Sequence, residues 1–172
     1  MTNALFLLVL AGPVVTIDGL SSRAPESWKE SPAGGPMRVR QFTLPRVAGE
    51  SRDAELIVFF FGTGGGGDAE SNVARWKTLF EPPAGKTIDQ VSKVETFKVG
   101  AVKVTTFDVT GTFLFRARPM DPPQSAEKRP GHRMIGVVFE SPKGPYFMRL
   151  VGPEKTVTHY KPGFDTWLKA FK

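Results

Sequence analysis

The C-terminal third of the chain changes its apolar period once. Met134-Ile135-Gly136-Val137-Val138-Phe139 and Tyr146-Phe147-Met148-Arg149-Leu150-Val151 are two near-continuous apolar runs. Between them lies Pro142-Lys143-Gly144-Pro145, a turn by composition. After Gly152-Pro153 the apolar residues are Val157, Tyr160, Phe164, Trp167, Leu168 and Phe171. Those positions mark one face of a helix. The predicted order is strand, tight turn, strand, helix, with the helix free to lie back across a sheet. Pro162-Gly163 interrupts the helical face, which predicts a kink there or a short helix followed by a second one.

The pattern upstream predicts mostly strands. Ile17–Pro25 reads as a short strand, and Trp28 just after it as the seal on a core edge. Ser31–Pro36 is a turn. Met37–Leu44 alternates in part, which places Arg38 and Arg40 together on a water-facing side. Pro45–Arg52 is a polar loop. Ala54–Phe61 is apolar almost throughout, the pattern of a central strand covered on both faces. Ala69, Val73, Trp76 and Phe80 then fall at helical spacing, with Asp68 as N-cap and Pro82-Pro83 as the stop. Val94–Val99 and Val102–Phe115 form a strand pair joined near Gly100-Ala101. Val102 and Val104 share one parity, while Phe107, Val109, Phe113 and Phe115 share the other, which predicts a bulge or sharp twist at Thr105-Thr106. Arg116–Gly131, rich in Pro and charge, reads as a long loop between strands.

Composition narrows the picture. A chain of 172 residues is one domain's worth, and no internal repeat is visible. There is no cysteine, which excludes thiolate metal sites, thiol nucleophiles, disulfides and a cysteine lipid anchor. The net charge is +6, but the basic residues are scattered and form no nucleic-acid arm, so no nucleic-acid partner is expected. The first sixteen residues carry no charged side chain, and Ala4–Leu10 is apolar but too short to span a bilayer. Residues 1–16 are read as a signal peptide and 17–172 as one α+β domain, exported to the periplasm or beyond, with no transmembrane segment in the mature chain.

Candidate chemistry is sparse. Gly62, Gly64 and Gly67 fit Gly-x-Gly-x-x-Gly, yet so glycine-rich a run fits by default, no Gly-Lys-Ser/Thr follows, and Asp68 puts negative charge where a phosphate would sit. Asn72 and Arg75 share a helix face beside that loop, as a small polar site or as ties for the loop. His132 and His159 have no neighbouring ligands at metal spacing, so no metal or cofactor is expected. Ser125 and Lys128 match Ser-x-x-Lys by chance, and no Gly-x-Ser-x-Gly elbow occurs. The carboxylates are dispersed, and spacing selects no acid–base pair. The candidate binding residues are Asp68, Asn72, Arg75, Arg38, Arg40, Arg116 and Arg118, with no catalytic residue among them.

The string from Gly144 to Val157, Gly-Pro-Tyr-Phe-Met-Arg-Leu-Val-Gly-Pro-Glu-Lys-Thr-Val, followed by Phe164-Asp165-x-Trp-Leu-x-x-Phe, resembles the C-terminal signature of PsbP/Mog-like domains. Ala24-Pro25-Glu26-Ser27-Trp28 and the Asn72–Trp76 segment resemble exported proteins of environmental bacteria. The resemblance implies an α/β/α sandwich, an antiparallel sheet of about six or seven strands flanked by helices on both faces. It also implies a non-enzymatic accessory or binding role. The expected partner is an envelope protein, met through loops such as Arg116–Gly131 and the Gly64–Asp68 turn. Two other readings stay open: a small-ligand or lipid binder using the fourteen phenylalanines, and a carboxylate-based hydrolase assembled from distant strands.

Overall fold

The computed structural model describes residues 12–118 and 121–172. The first strands, β1 (Val14–Ile17) and β2 (Leu20–Arg23), make a separate two-stranded hairpin. The remaining strands are β3 (Lys29–Ser31), β4 (Arg38–Leu44), β5 (Ala54–Phe60), β6 (Phe80–Glu81), β7 (Ser92–Val99), β8 (Val102–Phe115), β9 (Glu127–Ser141) and β10 (Gly144–Pro153). All eight form one antiparallel sheet in the order β3-β4-β5-β10-β9-β8-β6, and β7 pairs with the other half of the β8 edge that β6 uses. The helices are α1 (Ala69–Lys77) and α2 (Glu154–Lys169). The class is α+β as expected, with eight strands in the large sheet where six or seven were anticipated.

Several elements form for reasons visible in the chain. Asp68 caps α1, its Oδ1 accepting from the Ser71 amide at 2.7 Å. Glu70 lies in the first turn and Arg75 and Lys77 in the last, a distribution that suits the helix dipole. Trp28 is buried at the core edge and stacks against Phe164. α2 runs unbroken from Glu154 to Lys169 with Pro162 inside it, so one helix forms where a short helix followed by a second was an alternative.

Five expectations are corrected. Ile17–Pro25 is not one strand, because Asp18 and Gly19 both take positive φ and turn the chain between β1 and β2. α1 ends at Lys77, and Phe80 belongs to β6, where it pairs with Phe113. No bulge occurs at Thr105-Thr106, since β7 and β8 stay in register from Ser92↔Val109 to Val99↔Val102. The parity change has another cause: Val102 and Val104 pack in one apolar cluster, Phe107, Val109 and Phe113 in another. The irregularity lies later, between Gly111 and Phe113. Glu127–Gly131 belongs to β9, so the loop after β8 is shorter than expected, with a 3-10 turn at Pro123–Ser125. Finally, Arg38 and Arg40 do not share a side. Arg38 lies opposite Phe59 and Arg40 opposite Val58, with a bulge between them. Neighbouring strand residues point to opposite faces, so the bulge sends the two arginines apart.

The boundary read after residue 16 falls inside β1, whose Val15 side chain is buried in the core. Residues 1–11, the apolar part of the expected signal peptide, lie outside the described residues, as do Pro119 and Met120 of the expected loop.

Two clusters make the core. One gathers Val157, Phe164, Trp167, Leu168 and Phe171 around α2 with Ile135, Val137, Leu150 and the hairpin residues Val15 and Ile17. The other gathers Trp76, Phe107, Val109, Met134, Val138, Phe147 and Val151. Gly136 admits the Trp76 ring to the sheet, because a Cβ there would stand 2.5 Å from Trp76 Cε3.

Candidate binding surface

The glycine-rich turn after β5 is held from inside. Gly64, Gly66 and Gly67 take positive φ, and a Cβ on Gly66 would meet the Phe147 ring at 2.3 Å. Glycine is therefore required there by both conformation and space. Buried Asn72 donates through Nδ2 to the Gly66 and Asp68 carbonyls, 2.8 Å each, and its Oδ1 accepts from Arg75 Nη2. Asn72 thus ties down the loop, with Arg75 braced on it.

Arg38, Met37 and Val39 come up beside that loop, because Arg38 lies opposite Phe59 and the Phe60 amide donates to the Met37 carbonyl. Met37, Val39 and Phe61 are 46%, 36% and 37% exposed, a concentration of large apolar side chains in water at one corner of the sheet. Phe61 stacks on Phe59 at 6.0 Å and meets Phe147 edge-on at 5.6 Å. Nothing in the local pattern of either strand announces this corner; the pairing of β4 with β5 creates it.

Below the corner lies Arg149, which the sequence reading passed over as one residue of an apolar run. It lies opposite Ile57 on β5 and Gly136 on β9. Its Nε is buried with no hydrogen-bond partner. Burial pulls its pKa below the ordinary guanidinium value. Glu55 opposes that pull, and Arg38 and Arg75 add to it. The guanidinium carbons of Arg38 and Arg149 stand 5.9 and 5.8 Å from the Phe59 ring centroid. The neighbouring polar groups form a chain: Arg38 Nη1 donates to Gln41 Oε1 at 2.9 Å, and Gln41 Nε2 donates to Glu55 Oε1 at 2.8 Å.

The other sequence candidates lie elsewhere. Arg40 pairs with Glu30 at 3.5 Å. Arg116 and Arg118 follow the far end of β8 and hold Asp121: Arg116 Nη1 donates to its carbonyl at 3.1 Å, and Arg118 Nε stands 3.2 Å from its carboxylate. Asp68, Asn72, Arg75 and Arg38 come together around the glycine turn; Arg40, Arg116 and Arg118 do not join them.

The described residues also form surface depressions, two of which stand out. A groove of about 680 Å³ runs between the β1–β2 hairpin and α2, with Val14, Pro25, Pro162 and Trp167 in its walls. A second, of about 490 Å³, contains Asp68, Glu70, Lys103 and Glu140. There Asp68 is engaged in capping α1, and Glu140 pairs with Lys103 at 3.1 Å. Among the described residues no three His, Asp or Glu side chains gather as a metal site, and no helix is long and apolar enough to cross a membrane.

No protein-family model and no curated protein matches this chain. Solved structures do. CyanoP, the cyanobacterial PsbP of Synechocystis sp. PCC 6803, is 14% identical, with 100% of this chain and 98% of that one covered, at a TM-score of 0.56. PA94 of Pseudomonas aeruginosa is 12% identical, covering 91% and 93%, at 0.50. The Ran-binding protein Mog1p of Saccharomyces cerevisiae is 9% identical, covering 93% and 94%, at 0.49. At such identities the likeness is one of fold: this is the PsbP/Mog-like fold anticipated from the Gly144–Val157 string.

Proposed function

We propose that this chain is a non-enzymatic protein-binding domain that works in the cell envelope. The observation that carries the reading is the corner where Met37, Val39 and Phe61 stand exposed beside Arg38. Protein contact patches join an apolar centre to arginine and aromatic anchors, and this corner has that make-up. The likeness to CyanoP supplies the fold and leaves the partner open.

The same reading treats the molecule as a sandwich with the helices on opposite faces of the sheet. Its support is the parity of β9: Trp76 of α1 sits over Gly136, while α2 packs with Ile135 and Val137. It also treats the chain as exported. A leader removed after residue 16 would take with it three residues of β1, including buried Val15. Gly12 and Pro13 are bonded to the fold, their carbonyls accepting from Arg23 and Ala24 at 2.8 and 2.9 Å. Cleavage therefore belongs before Gly12, and mass spectrometry of the mature N-terminus reads this directly.

The test of the binding reading is capture from an envelope extract by the full chain, with low- and high-salt washes. A stoichiometric partner that survives salt, is lost with Met37→Asp and Phe61→Asp, and is kept with substitution of exposed Lys86 in the loop between β6 and β7, Lys86→Ala, supports it. Capture indifferent to the corner variants, or lost in salt, rejects it.

A further inference from the structure

We infer that Arg149, flanked by Arg38 and Arg75, is a receptor for a carboxylate group, and that the segment bound at this corner is acidic. The geometry supplies the oxyanion site; only the source of the anion, a protein segment, rests on the protein-binding reading above.

The argument begins with what Arg149 lacks. Three buried side-chain nitrogens have no partner among the described residues: Trp28 Nε1, Trp167 Nε1 and Arg149 Nε. The two indoles lie within the apolar cluster around α2. Arg149 is different, because it carries a full charge and remains partly open to solvent. A buried cation without a counter-ion is costly, and natural structures normally pair it. Among the described residues no carboxylate stands within ion-pair distance of it.

The fold also keeps the neighbouring acceptors away. Glu55, two residues before Ile57 on β5, is engaged by Gln41, and the Gln41 oxygen is taken by Arg38. Asn72 Oδ1 is taken by Arg75. Both flanking arginines thus lean on neutral amides, which orient a guanidinium without neutralising it. Three guanidiniums face one carboxylate, so the surface holds an excess of positive charge.

The shape favours a carboxylate on an apolar stem. Ile57 lies buried opposite Arg149, and the Phe59 ring stands beside both Arg38 and Arg149. A guanidinium presents paired N–H donors at the spacing of carboxylate oxygens, and its plane is steadied by an aromatic neighbour. An acidic side chain entering here would set its oxygens on Arg149 and its methylenes against Phe59, with Phe61, stacked on Phe59, available to a flanking residue. Burial and the two like charges hold the Arg149 pKa down, and an incoming anion relieves that pressure.

The test follows the Arg149 Nε–Hε signal in a proton–nitrogen correlation spectrum of the ¹⁵N-labelled full chain, assigned by its loss in Arg149→Met. Three probes are titrated: the capped peptide Glu-Glu-Phe-Glu-Glu, its Gln-Gln-Phe-Gln-Gln counterpart, and inorganic phosphate. The expected result is a saturable shift with the Glu peptide and roughly tenfold weaker binding of the Gln peptide, as loss of charge-assisted hydrogen bonds implies. Arg149→Met is expected to lose the Glu peptide yet melt several degrees higher, because it removes an uncompensated charge. Arg38→Gln, which leaves the buried charge in place, weakens the Glu peptide severalfold and serves should Arg149→Met not fold.

An unmoved Arg149 signal, equal shifts with the Glu and Gln peptides, or unchanged peptide binding in Arg149→Met overturns the proposal. A shift with phosphate alone overturns the carboxylate assignment. Peptide binding at Arg149 with partner capture indifferent to Met37→Asp would leave the pocket standing and remove the protein-contact reading. Capture sensitive to Met37→Asp with an unmoved Arg149 signal would do the reverse.

Discussion

The two apolar clusters are built to different standards. Among the described residues the cluster around α2 has 22 buried members, drawn from the hairpin, the sheet and the helix. The cluster around Trp76 has nine, fringed by half-buried Phe59, Val73, Leu79 and Phe115. Helix length is one reason. The 16 residues of α2 extend about 24 Å and the nine of α1 about 14 Å at the usual rise. The sheet is seven strands across along its main path, about 30 Å at the usual strand spacing. A helix of about two and a half turns covers only part of such a surface. On the side of the strands that carries Trp76's contacts, β4, β5 and β10 mix Arg38, Gln41, Glu55 and Arg149 with Ile57, Phe59, Phe147 and Val151. A complete core supplies stability, and an incomplete one leaves room for recognition.

The largest effect expected from this contrast is at Trp167. Trp167→Ala removes a ring in contact with Trp28, Phe164 and Phe171 and should cost about 3–5 kcal/mol in urea unfolding. A loss below about 1 kcal/mol would show that the α2 cluster does not carry the fold.

Next comes Gly136→Ala, whose new methyl would enter the space of the Trp76 ring. Overpacking of this kind costs about 1–3 kcal/mol. The damage should be confined to α1 and the glycine turn, seen as lost amide protection there while α2 stays protected. A uniform loss over both helices would mean that the two clusters act as one.

A smaller effect is expected at Asp68→Ala, which removes the acceptor for the Ser71 amide. Hydrogen exchange in the first turn of α1 should quicken severalfold. The Asp68 carboxyl is held below its usual range by those Ser71 hydrogen bonds, so the cap persists as pH falls until the carboxyl protonates.

The smallest is a pH effect at His132. Its Nδ1 lies 3.0 Å from the Pro130 carbonyl, which can only accept, so Nδ1 carries the proton. Burial lowers its pKa from the ordinary value of 6.5, with the Pro130 bond opposing. The unfolded chain therefore takes up the proton first. This contribution is present in full above pH 6.5 and is lost as pH falls through the depressed folded value. Titrated unfolding should show stability declining below that point, with a shallower slope in His132→Phe. An equal slope in both would place the titration elsewhere.

Much of the fold was legible in the chain. The β9–β10–α2 order, the α1 cap and the β7–β8 hairpin all rest on patterns within twenty residues or so, where period and turn chemistry act locally. Most differences from the sequence-based expectation came from distant partners. The parity change in β8 marks the passage from one apolar cluster to the other and reads as a bulge in the strand alone, because the strand does not show what packs against it. Arg38 and Arg40 looked like one pair until the bulge opposite β5 separated them. Asp18-Gly19 was a local turn signal that was open to detection. Of the site, the Asn72–Arg75 pair was readable as a loop tie from helix spacing. Arg149 was not, because an arginine in an apolar run reads as the wet side of a strand.

By itself, then, the sequence determined the class of fold, the helical face of α2, the capped start of α1 and the glycine turn, since each is set by neighbours along the chain. Tertiary structure alone decided which arginines meet. Arg38, Arg75 and Arg149 come from β4, α1 and β10, more than a hundred residues apart at the extremes. Only the antiparallel register and the room at Gly136 for Trp76 bring them to one place.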